Sequence, residues 1–448
     1  MKPLVIYQLY ARNFTNEGTL AAAEKMVPHL ADLGIDAVYL SAINKADDQQ
    51  EGQSPRQIAS GMNNPKNPYR IVDYYAVDEE YGTTEDLKSF IKACHSANIK
   101  VLIDLVYMHC GPNAVFLKDH PNFIKRNEKG EMMLTPYGFL LLDFDDKELR
   151  EYLWRNMEYY IKEIDADGFR CDVAEEVPLD FWKEGFKRVK KIKPDLIFLD
   201  EGGMSSYLEA FDLLYGGGVE GAINRTFIHK NNAGKPHKVK TYHFIPIDKE
   251  TVYNAEHIKE AWLKTHKKAP LCSTINNAEN HDIANDAYEE RLEAHLGPNA
   301  GEAILAFLFT LDGIPMIYNG NEFADSGRRS MFWNRFCRGN MSIDWSNLAT
   351  EVGKRRLQVV KNLIRIRKNR KSLTCGDLVW ADHSGSKTVL GFSRNYENET
   401  THIFINTTAK VQKTKLQNIQ PGKVLASNNA TIDKNTITLL PYGYVITE

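Results

Sequence analysis

Short apolar segments alternate with longer amphipathic segments over most of the chain. The short segments predict β-strands, and the longer ones, with apolar residues at helical spacing, predict α-helices. The predicted strands are Val5–Leu9, Asp36–Leu40, Lys100–Leu105, Gly168–Val173, Leu196–Leu199, Leu271–Ile275 and Ile314–Ile317, with a weaker strand–helix unit between Tyr207 and Val252. Helices are predicted around Leu20–Leu33, Thr84–Ala97, Glu148–Ile164, Leu179–Ile192, Gly301–Leu311 and Gly353–Lys368. Repeated strand–helix units imply parallel strands joined by right-handed crossovers.

Two architectures fit this alternation, a doubly wound open sheet and a closed (β/α)8 barrel. Eight units spread over roughly 370 residues favour the barrel with loop insertions. A doubly wound sheet that binds a dinucleotide would carry a G-x-G-x-x-G motif after the first strand. Tyr10-Ala11-Arg12-Asn13-Phe14 stands there instead. We therefore predict an α/β fold built on a (β/α)8 TIM barrel.

The barrel pattern is interrupted twice and then replaced. Asn44–Tyr69 is polar and predicts a long surface loop, and Cys110–Leu142 predicts a short excursion after the third strand. We assign residues 1–374 to the barrel, including a small inserted subdomain at about 110–142, and residues 375–448 to a C-terminal antiparallel β-sandwich. Its predicted strands are Leu378–Ala381, Thr388–Arg394, Thr401–Asn406 and Thr436–Leu440.

Composition excludes several classes of protein. The 448 residues carry 59 acidic and 56 basic side chains, a net charge of −3, which argues against a nucleic-acid partner. No apolar run reaches the roughly 18 residues of a membrane span. The chain opens with Met1-Lys2-Pro3 and a strand, not a signal peptide, so we expect a cytoplasmic location unless a leader has been removed. The scattered cysteines predict reduced core thiols: Cys94, Cys110, Cys171, Cys272, Cys337 and Cys375.

Polar residues stand at the ends of the predicted strands, where a parallel barrel has its active site. Asp104 and His109 end the third strand, Arg170 and Asp172 lie in the fourth, Glu201 follows the fifth, and Asn280-His281-Asp282 follows the seventh. Charged groups at such positions are partly desolvated and costly unless they serve a purpose. The carboxylates of Asp172, Glu201 and Asp282 and the two histidines thus converge on one rim as a candidate active site.

Paired carboxyl groups are what glycoside hydrolysis needs, one ionised nucleophile and one protonated acid. Arg170 and Asp172 point to the same face of a strand, so the guanidinium is expected to lower the pKa of Asp172 and suit it as the nucleophile. Glu201 has no such neighbour and is the candidate proton donor. Taken singly, these residues have structural interpretations: a salt bridge for Arg170–Asp172, a hydrogen-bonded Asp104, a core histidine for His109.

The sequence resembles the α-amylase family, family 13 of the retaining glycoside hydrolases, over nearly its whole length. Asp104–His109 is similar to the motif D-x-V-x-N-H, Gly168–Ala174 to G-F-R-x-D, Phe198–Glu201 to the motif ending in the acid Glu, and Asn280–Asp282 to N-H-D. Flanking stretches agree, among them Tyr7–Phe14, Leu33–Leu40 and Gly313–Tyr318. Four motifs in the family's order make a chance match improbable.

The resemblance implies a role for each site residue. Asp172 is implied as nucleophile, Glu201 as acid/base and Asp282 as transition-state stabiliser. Tyr69 is implied as the aromatic platform under the sugar at the cleavage site. His109, Arg170 and His281 are implied to hold that same sugar.

Within the family, Asp172–Pro178 looks most like neopullulanases and cyclomaltodextrinases, although their N-terminal β domain has no counterpart here. Met108 stands where many relatives have the Asn of a structural calcium site. A thioether is a poor ligand for calcium, so we expect no required cofactor and no metal site there. Asp200 stands where a Gly commonly precedes the acid Glu. It either raises the pKa of Glu201 by charge repulsion or points away from it as a structural residue.

The sequence leaves the reaction partly open. The leading hypothesis is hydrolysis of α-1,4-glucosidic bonds in malto-oligosaccharides or starch-like glucans. A transglycosylase would share the covalent intermediate and differ in whether water or a sugar attacks it. A non-catalytic glucan-binding barrel is the third hypothesis, but none of the three carboxylates is missing. Endo or exo action, chain-length preference, activity on α-1,6 bonds or cyclodextrins and oligomeric state are not determined by the sequence.

Overall fold

The computed structural model describes residues 4–49, 53–54, 57–58, 60–61, 64, 66–231, 253–267, 269, 273–282, 291–327, 329–333 and 342–448. Within them, eight parallel strands close into a barrel in sequential order, with the last strand paired to the first. The strands are β1 (Ile6–Leu9), β2 (Ala37–Leu40), β3 (Lys100–Leu105), β4 (Gly168–Cys171), β5 (Ile197–Asp200), β6 (Leu213–Tyr215), β7 (Thr274–Asn276) and β8 (Ile314–Tyr318). This confirms the predicted (β/α)8 barrel. Residues 271–272 of the predicted seventh strand lie outside the described residues.

Alternation along the strands separates the barrel interior from the layer beneath the helices. In β5, Ile197 and Leu199 belong to the apolar cluster that fills the barrel. Phe198 faces outward and stacks on Phe186, with ring centroids 3.7 Å apart. Continuing the alternation places Asp200 outside the barrel and Glu201 at its mouth.

Helices cover the barrel with small shifts from their predicted bounds. The described helices are Ala11–Phe14, Leu20–Glu24, Val27–Leu33, Thr84–Ser96, Lys147–Lys162, Leu179–Ile192, Gly217–Asn231, Ala255–His266, Leu292–Leu296, Pro298–Thr310, Glu351–Asn369 and Lys371–Cys375. The helix Thr84–Ser96 begins where predicted, because its N-cap Thr83 accepts from the Asp86 N–H while the Asp86 side chain accepts from the Thr83 backbone N–H.

The two insertions contain small antiparallel pairs. Asn44–Ala46 pairs with Ile71–Val77, so the predicted loop begins as a strand; several of its later residues lie outside the described residues. After β3, His109–Cys110 pairs with Leu140–Leu141. This second pair brings the end of the excursion back beside its start.

The C-terminal region is an antiparallel sheet, as predicted. Its strands are β9 (Asp377–Trp380), β10 (Val389–Tyr396), β11 (Glu399–Asn406), β12 (Gln412–Lys415), β13 (Val424–Asp433) and β14 (Thr436–Thr447). β14 pairs with β11, β12 and β13. Phe404 lies in a separate small core, whereas its neighbours Ile403 and Ile405 pack into the main core shared with the barrel. Arg394 joins the two units by donating to the carbonyl of Thr310 at 2.8 Å.

The cysteines follow the prediction in part. Cys94, Cys110 and Cys171 are free and buried, but Cys375 is exposed, so the prediction of a core thiol is wrong there. Cys272 and Cys337 lie outside the described residues. Among the described helices, none combines the length and apolar character needed to cross a bilayer.

Candidate active site

The register of three neighbouring strands brings the first charged groups together. Asp104 of β3 is paired with Arg170 of β4, and the next residue beyond β5 is Glu201. Side chains at paired positions of parallel strands point the same way, so these groups face the mouth of the barrel. Arg170 is completely buried there.

Arg170 contacts three carboxyl groups. Its Nη1 lies 2.7 Å from Asp104 Oδ1 and 2.8 Å from Asp172 Oδ1, and its Nη2 lies 2.5 Å from Glu201 Oε1. Asp104 Oδ2 also accepts from the hydroxyls of Tyr39 at 2.8 Å and Tyr69 at 3.1 Å. The structure thus brings Arg170, Asp172 and Glu201 together, with Asp104 as the residue that orients the guanidinium from below.

The backbone after Asp172 turns sharply. Val173 has φ 42°, in the left-handed region that a β-branched residue rarely adopts. This conformation ends β4 at Cys171, earlier than predicted, and lets the Val173 N–H donate to Glu201 Oε2 at 3.0 Å. Backbone strain of this kind concentrates at functional sites. Here it fixes one oxygen of Glu201 while Arg170 holds the other.

The two central carboxyl groups keep protons more readily than free ones. Arg170 lowers the pKa of Asp172, as expected, but burial raises it by more, so the pKa lies above its usual value. Burial raises the pKa of Glu201 well above its usual value. Arg170 lowers it, whereas the charges of Asp172 and Asp282 raise it. When the pair holds one proton, Glu201 is the group that carries it.

A hydrogen-bond chain orients His281. Gln8 Nε2 lies 2.7 Å from His281 Nδ1, and His281 Nε2 lies 2.7 Å from the hydroxyl of Tyr69. Since the amide donates to Nδ1, the proton of the neutral ring is on Nε2 and is donated to Tyr69, whose hydroxyl donates onward to Asp104. The rings of Tyr10 and Tyr69 lie nearly parallel to the imidazole, at 5.6 and 5.4 Å between centroids.

His109 lies on the opposite wall, where the excursion begins. Its Nε2 is 2.9 Å from the carbonyl of Tyr69, to which it donates. Burial lowers the pKa of His109 to about 4, so the ring is neutral near pH 7. Its Nδ1 is then an acceptor, and it has no hydrogen-bond partner among the residues that the structure describes.

Asp282 completes the set of predicted residues. It follows β7, and its N–H donates to Asn280 Oδ1 at 2.9 Å. Its carboxylate is close enough to Glu201 to raise the pKa of that group. All seven predicted site residues, Tyr69, His109, Arg170, Asp172, Glu201, His281 and Asp282, therefore lie at one end of the barrel.

Two further residues reach the same place from loops and were not predicted. Tyr137, in the excursion, is 39% exposed, and Asp172, Glu201 and Asp282 all raise the pKa of its hydroxyl after burial. Glu220, in the first turn of the helix after β6, has a pKa raised to about 8 by burial and by Asp282 and Glu201. No periodic pattern marks either residue, and only the strand order could have indicated that their loops border the site.

Asp200 lies behind this site. It is completely buried, and neither of its carboxyl oxygens has a hydrogen-bond partner within the described part of the chain. Burial raises its pKa to about 8, with contributions from the charges of Glu175 and Glu201. Of the two sequence interpretations, the structure supports the one in which Asp200 points away from the barrel mouth.

The residues at the family's calcium position do not fit the ion. The side chain of Met108 is buried in the main apolar core. Among the described residues, no cluster of three or more His, Cys, Asp or Glu side chains could hold a metal. Calcium requires several hard oxygen ligands, and an apolar thioether does not supply one.

Comparison with known proteins agrees with this geometry. The model for the α-amylase catalytic domain matches residues 8–132 and 139–353. A cyclomaltodextrinase from Geobacillus thermopakistaniensis is 26% identical over 458 residues, covering 96% of this chain and 70% of that protein. A maltogenic α-amylase from Bacillus acidopullulyticus is 26% identical over 423 residues, covering 87% of this chain and 62% of that protein. The chain therefore spans 62–70% of the length of these two relatives.

A solved structure shows the same fold along the full length. The noncanonic maltogenic α-amylase from Thermotoga neapolitana superposes with a TM-score of 0.79 at 23% identity, covering 99% of this chain and 98% of that one. The family model covers well over half of the chain, including all four motifs at the ends of the strands. The protein belongs to the α-amylase family and is a glycosidase of that family.

Proposed function

We propose that the protein is a retaining glycoside hydrolase that cleaves α-1,4-glucosidic bonds of malto-oligosaccharides or starch-like glucans through a covalent glycosyl-aspartate intermediate. The observation that carries this proposal is the shared contact of Asp172 and Glu201 with Arg170, beside Asp282, at the mouth of the barrel. The relatives' names, cyclomaltodextrinase and maltogenic α-amylase, support an α-glucan substrate.

The first step assigns one role to each carboxyl group. Glu201 donates its proton to the glycosidic oxygen while Asp172 attacks the anomeric carbon, so the bond to the leaving sugar breaks as the bond to Asp172 forms. Glu201, now ionised, then takes a proton from water, which attacks the same carbon and releases Asp172. Two displacements at one carbon retain the α configuration.

The surrounding residues hold the sugar and stabilise charge. Asp282 provides negative charge beside the oxocarbenium-like transition state. Tyr69 presents a ring fixed by its hydrogen bonds to His281 and Asp104. The acceptor Nδ1 of His109 can accept a hydrogen bond from a sugar hydroxyl, while His281 holds the Tyr69 ring in place. Arg170 orients Asp172 and Glu201 and does not react.

We propose further that the enzyme works without calcium and inside the cell. The first statement rests on the apolar setting of Met108. The second rests on a relative from Bacillus subtilis, 24% identical over 446 residues, whose name is intracellular maltogenic amylase.

The roles of the carboxyl groups can be separated with two substrates. Fluoride leaves without a proton, whereas a sugar alkoxide needs one. We expect Glu201→Gln to lose nearly all activity on maltotriose, to form the intermediate from α-maltosyl fluoride, and to turn over faster when azide is added. Asp172→Asn should be inactive on both substrates, and Asp282→Asn slow on both.

Mass spectrometry of the Glu201→Gln protein during fluoride turnover should find one maltosyl unit on the peptide that contains Asp172. Azide rescue by the Asp172 variant instead would reverse the assignment. A wild-type protein that cleaves neither maltotriose nor the fluoride would refute the proposed function.

A further inference from the structure

Glu220 stands between two of the site carboxylates. The helix Gly217–Asn231 begins two residues beyond β6, and Glu220 lies in its first turn. β6 is flanked by β5, which leads to Glu201, and by β7, which leads to Asp282. The charges of Asp282 and Glu201 also act on Glu220. The strand order therefore places Glu220 on the Glu201–Asp282 wall of the site.

One oxygen of Glu220 is held and the other is available. Asn277, directly after β7, donates from Nδ2 to Glu220 Oε2 at 3.3 Å. Oε1 has no hydrogen-bond partner among the residues that the structure describes. The Glu220 side chain is partly exposed, so a bound molecule can reach it.

The chemical state of this group suits a sugar hydroxyl. With its pKa raised to about 8, the carboxyl group is neutral near pH 7 and can donate one hydrogen bond as well as accept others. A neutral acid also avoids placing a further negative charge beside Asp282 and Glu201. The contact of Glu220 with Asn277, at 3.3 Å, is long for an N–H···O bond. So weak a contact does not by itself require a carboxyl group at this position.

The position on the Glu201 wall identifies which sugar is contacted. Glu201 protonates the glycosidic oxygen and so lies on the side of the leaving saccharide, opposite the face attacked by Asp172. We propose that Glu220 is a substrate-binding residue for the leaving saccharide, to which it donates a hydrogen bond from its free carboxyl oxygen. This inference rests on the proposed function and adds a specificity determinant to it.

Two substrates with the same maltosyl group test the inference. Maltotriose releases glucose, which occupies the leaving side, whereas α-maltosyl fluoride places no sugar there. We expect Glu220→Met, which keeps the length but cannot donate, to lower kcat/KM on maltotriose about tenfold more than on the fluoride, the effect of one lost hydrogen bond. In Glu220→Gln the amide can donate a hydrogen bond. The ratio of kcat/KM on maltotriose to kcat/KM on the fluoride should therefore stay within about threefold of the wild-type ratio.

Transfer to an added sugar gives a second readout of the same position. With α-maltosyl fluoride as donor and glucose as acceptor, Glu220→Met should raise the glucose concentration needed for half-maximal transfer by about tenfold. Glu293→Gln serves as the matched control, because Glu293 is a largely buried carboxylate paired with Arg356 at 2.9 Å. We expect Glu293→Gln to lower the thermal midpoint and to leave the ratio of kcat/KM on the two substrates at the wild-type value.

The outcomes separate this inference from the proposed function. Suppose that wild type cleaves both substrates and that Glu220→Met lowers kcat/KM equally for both, or for neither. Glu220 is then structural and the inference is wrong. If wild type is inactive on both substrates, the proposed function itself fails.

Discussion

Asp200→Asn should make the protein less sensitive to alkaline pH. Asp200 is fully buried outside the barrel, and no described residue hydrogen-bonds to its carboxyl oxygens. Burial raises its pKa from the usual value of about 3.9 to about 8. Asn has nearly the same shape and never ionises, so the substitution removes the titration with little change in packing.

The sign follows from the proton count. Between pH 4 and pH 8 the folded state keeps the proton on Asp200 and the unfolded state loses it, so the folded state binds more protons and stability falls as pH rises. The stability that Asp200 contributes is fully present at pH values below its pKa in the unfolded chain. It is lost as pH rises through its pKa in the folded state. A shift of this size corresponds to about 4 kcal/mol of lost stability between pH 5 and pH 8. Between pH 5 and pH 8, the free energy of unfolding of Asp200→Asn should therefore rise by about 4 kcal/mol relative to that of wild type.

Urea unfolding at pH 5 and pH 8, followed by tryptophan fluorescence, measures this difference. The same substitution at Asp195, just before the same strand and 96% exposed, controls for the loss of a negative charge. The difference in unfolding free energy between Asp200→Asn and wild type should change by more than about 1 kcal/mol from pH 5 to pH 8. A smaller change, equivalent to less than one pKa unit, would show that Asp200 is not held as a buried neutral acid.

The remaining predictions concern pH and metal ions. The profile of kcat/KM against pH should be bell-shaped: activity rises as Asp172 ionises, at a pH above the usual carboxyl range because burial raises its pKa, and falls at higher pH as Glu201 loses its proton. A single alkaline plateau on maltotriose would contradict the need for a protonated Glu201. Chelation with EDTA should change neither activity nor the thermal midpoint, because Met108 replaces an oxygen ligand; a loss that calcium alone restores would show that a calcium site exists.

The fold and the motif residues were accessible from the sequence for a physical reason. Apolar runs and helical periodicity repeat along a (β/α)8 barrel, and all active-site strand ends meet at one face. The C-terminal sheet was predicted less completely, because Gln412–Lys415 is wholly polar and Val424–Asp433 lacks a regular alternation of apolar and polar residues, although both pair with β14. Such strands carry little hydrophobic alternation.

The parts of the site that the sequence did not predict come from irregular backbone. The left-handed conformation of Val173 is rare for a β-branched residue, so the residue type gave no indication of it. Tyr137 and Glu220 reach the site from an excursion and from a helix start. Their distance from the strand motifs in sequence gives no indication of their distance in space.

Arg170 explains why the site needs all of its neighbours at once. The sequence indicates its contact with Asp172, since residues two apart on a strand share a face. Its contacts with Asp104 and Glu201 depend on the register of β3 and β5, which only the closed barrel determines. One guanidinium facing several carboxyl groups cannot neutralise them all in a buried site, so a proton remains on the group that is least compensated. Because Asp172 and Asp282 both act on Glu201, that proton stays where the leaving oxygen needs it. The protonation pattern required for a retaining glycosidase thus follows from the strand register.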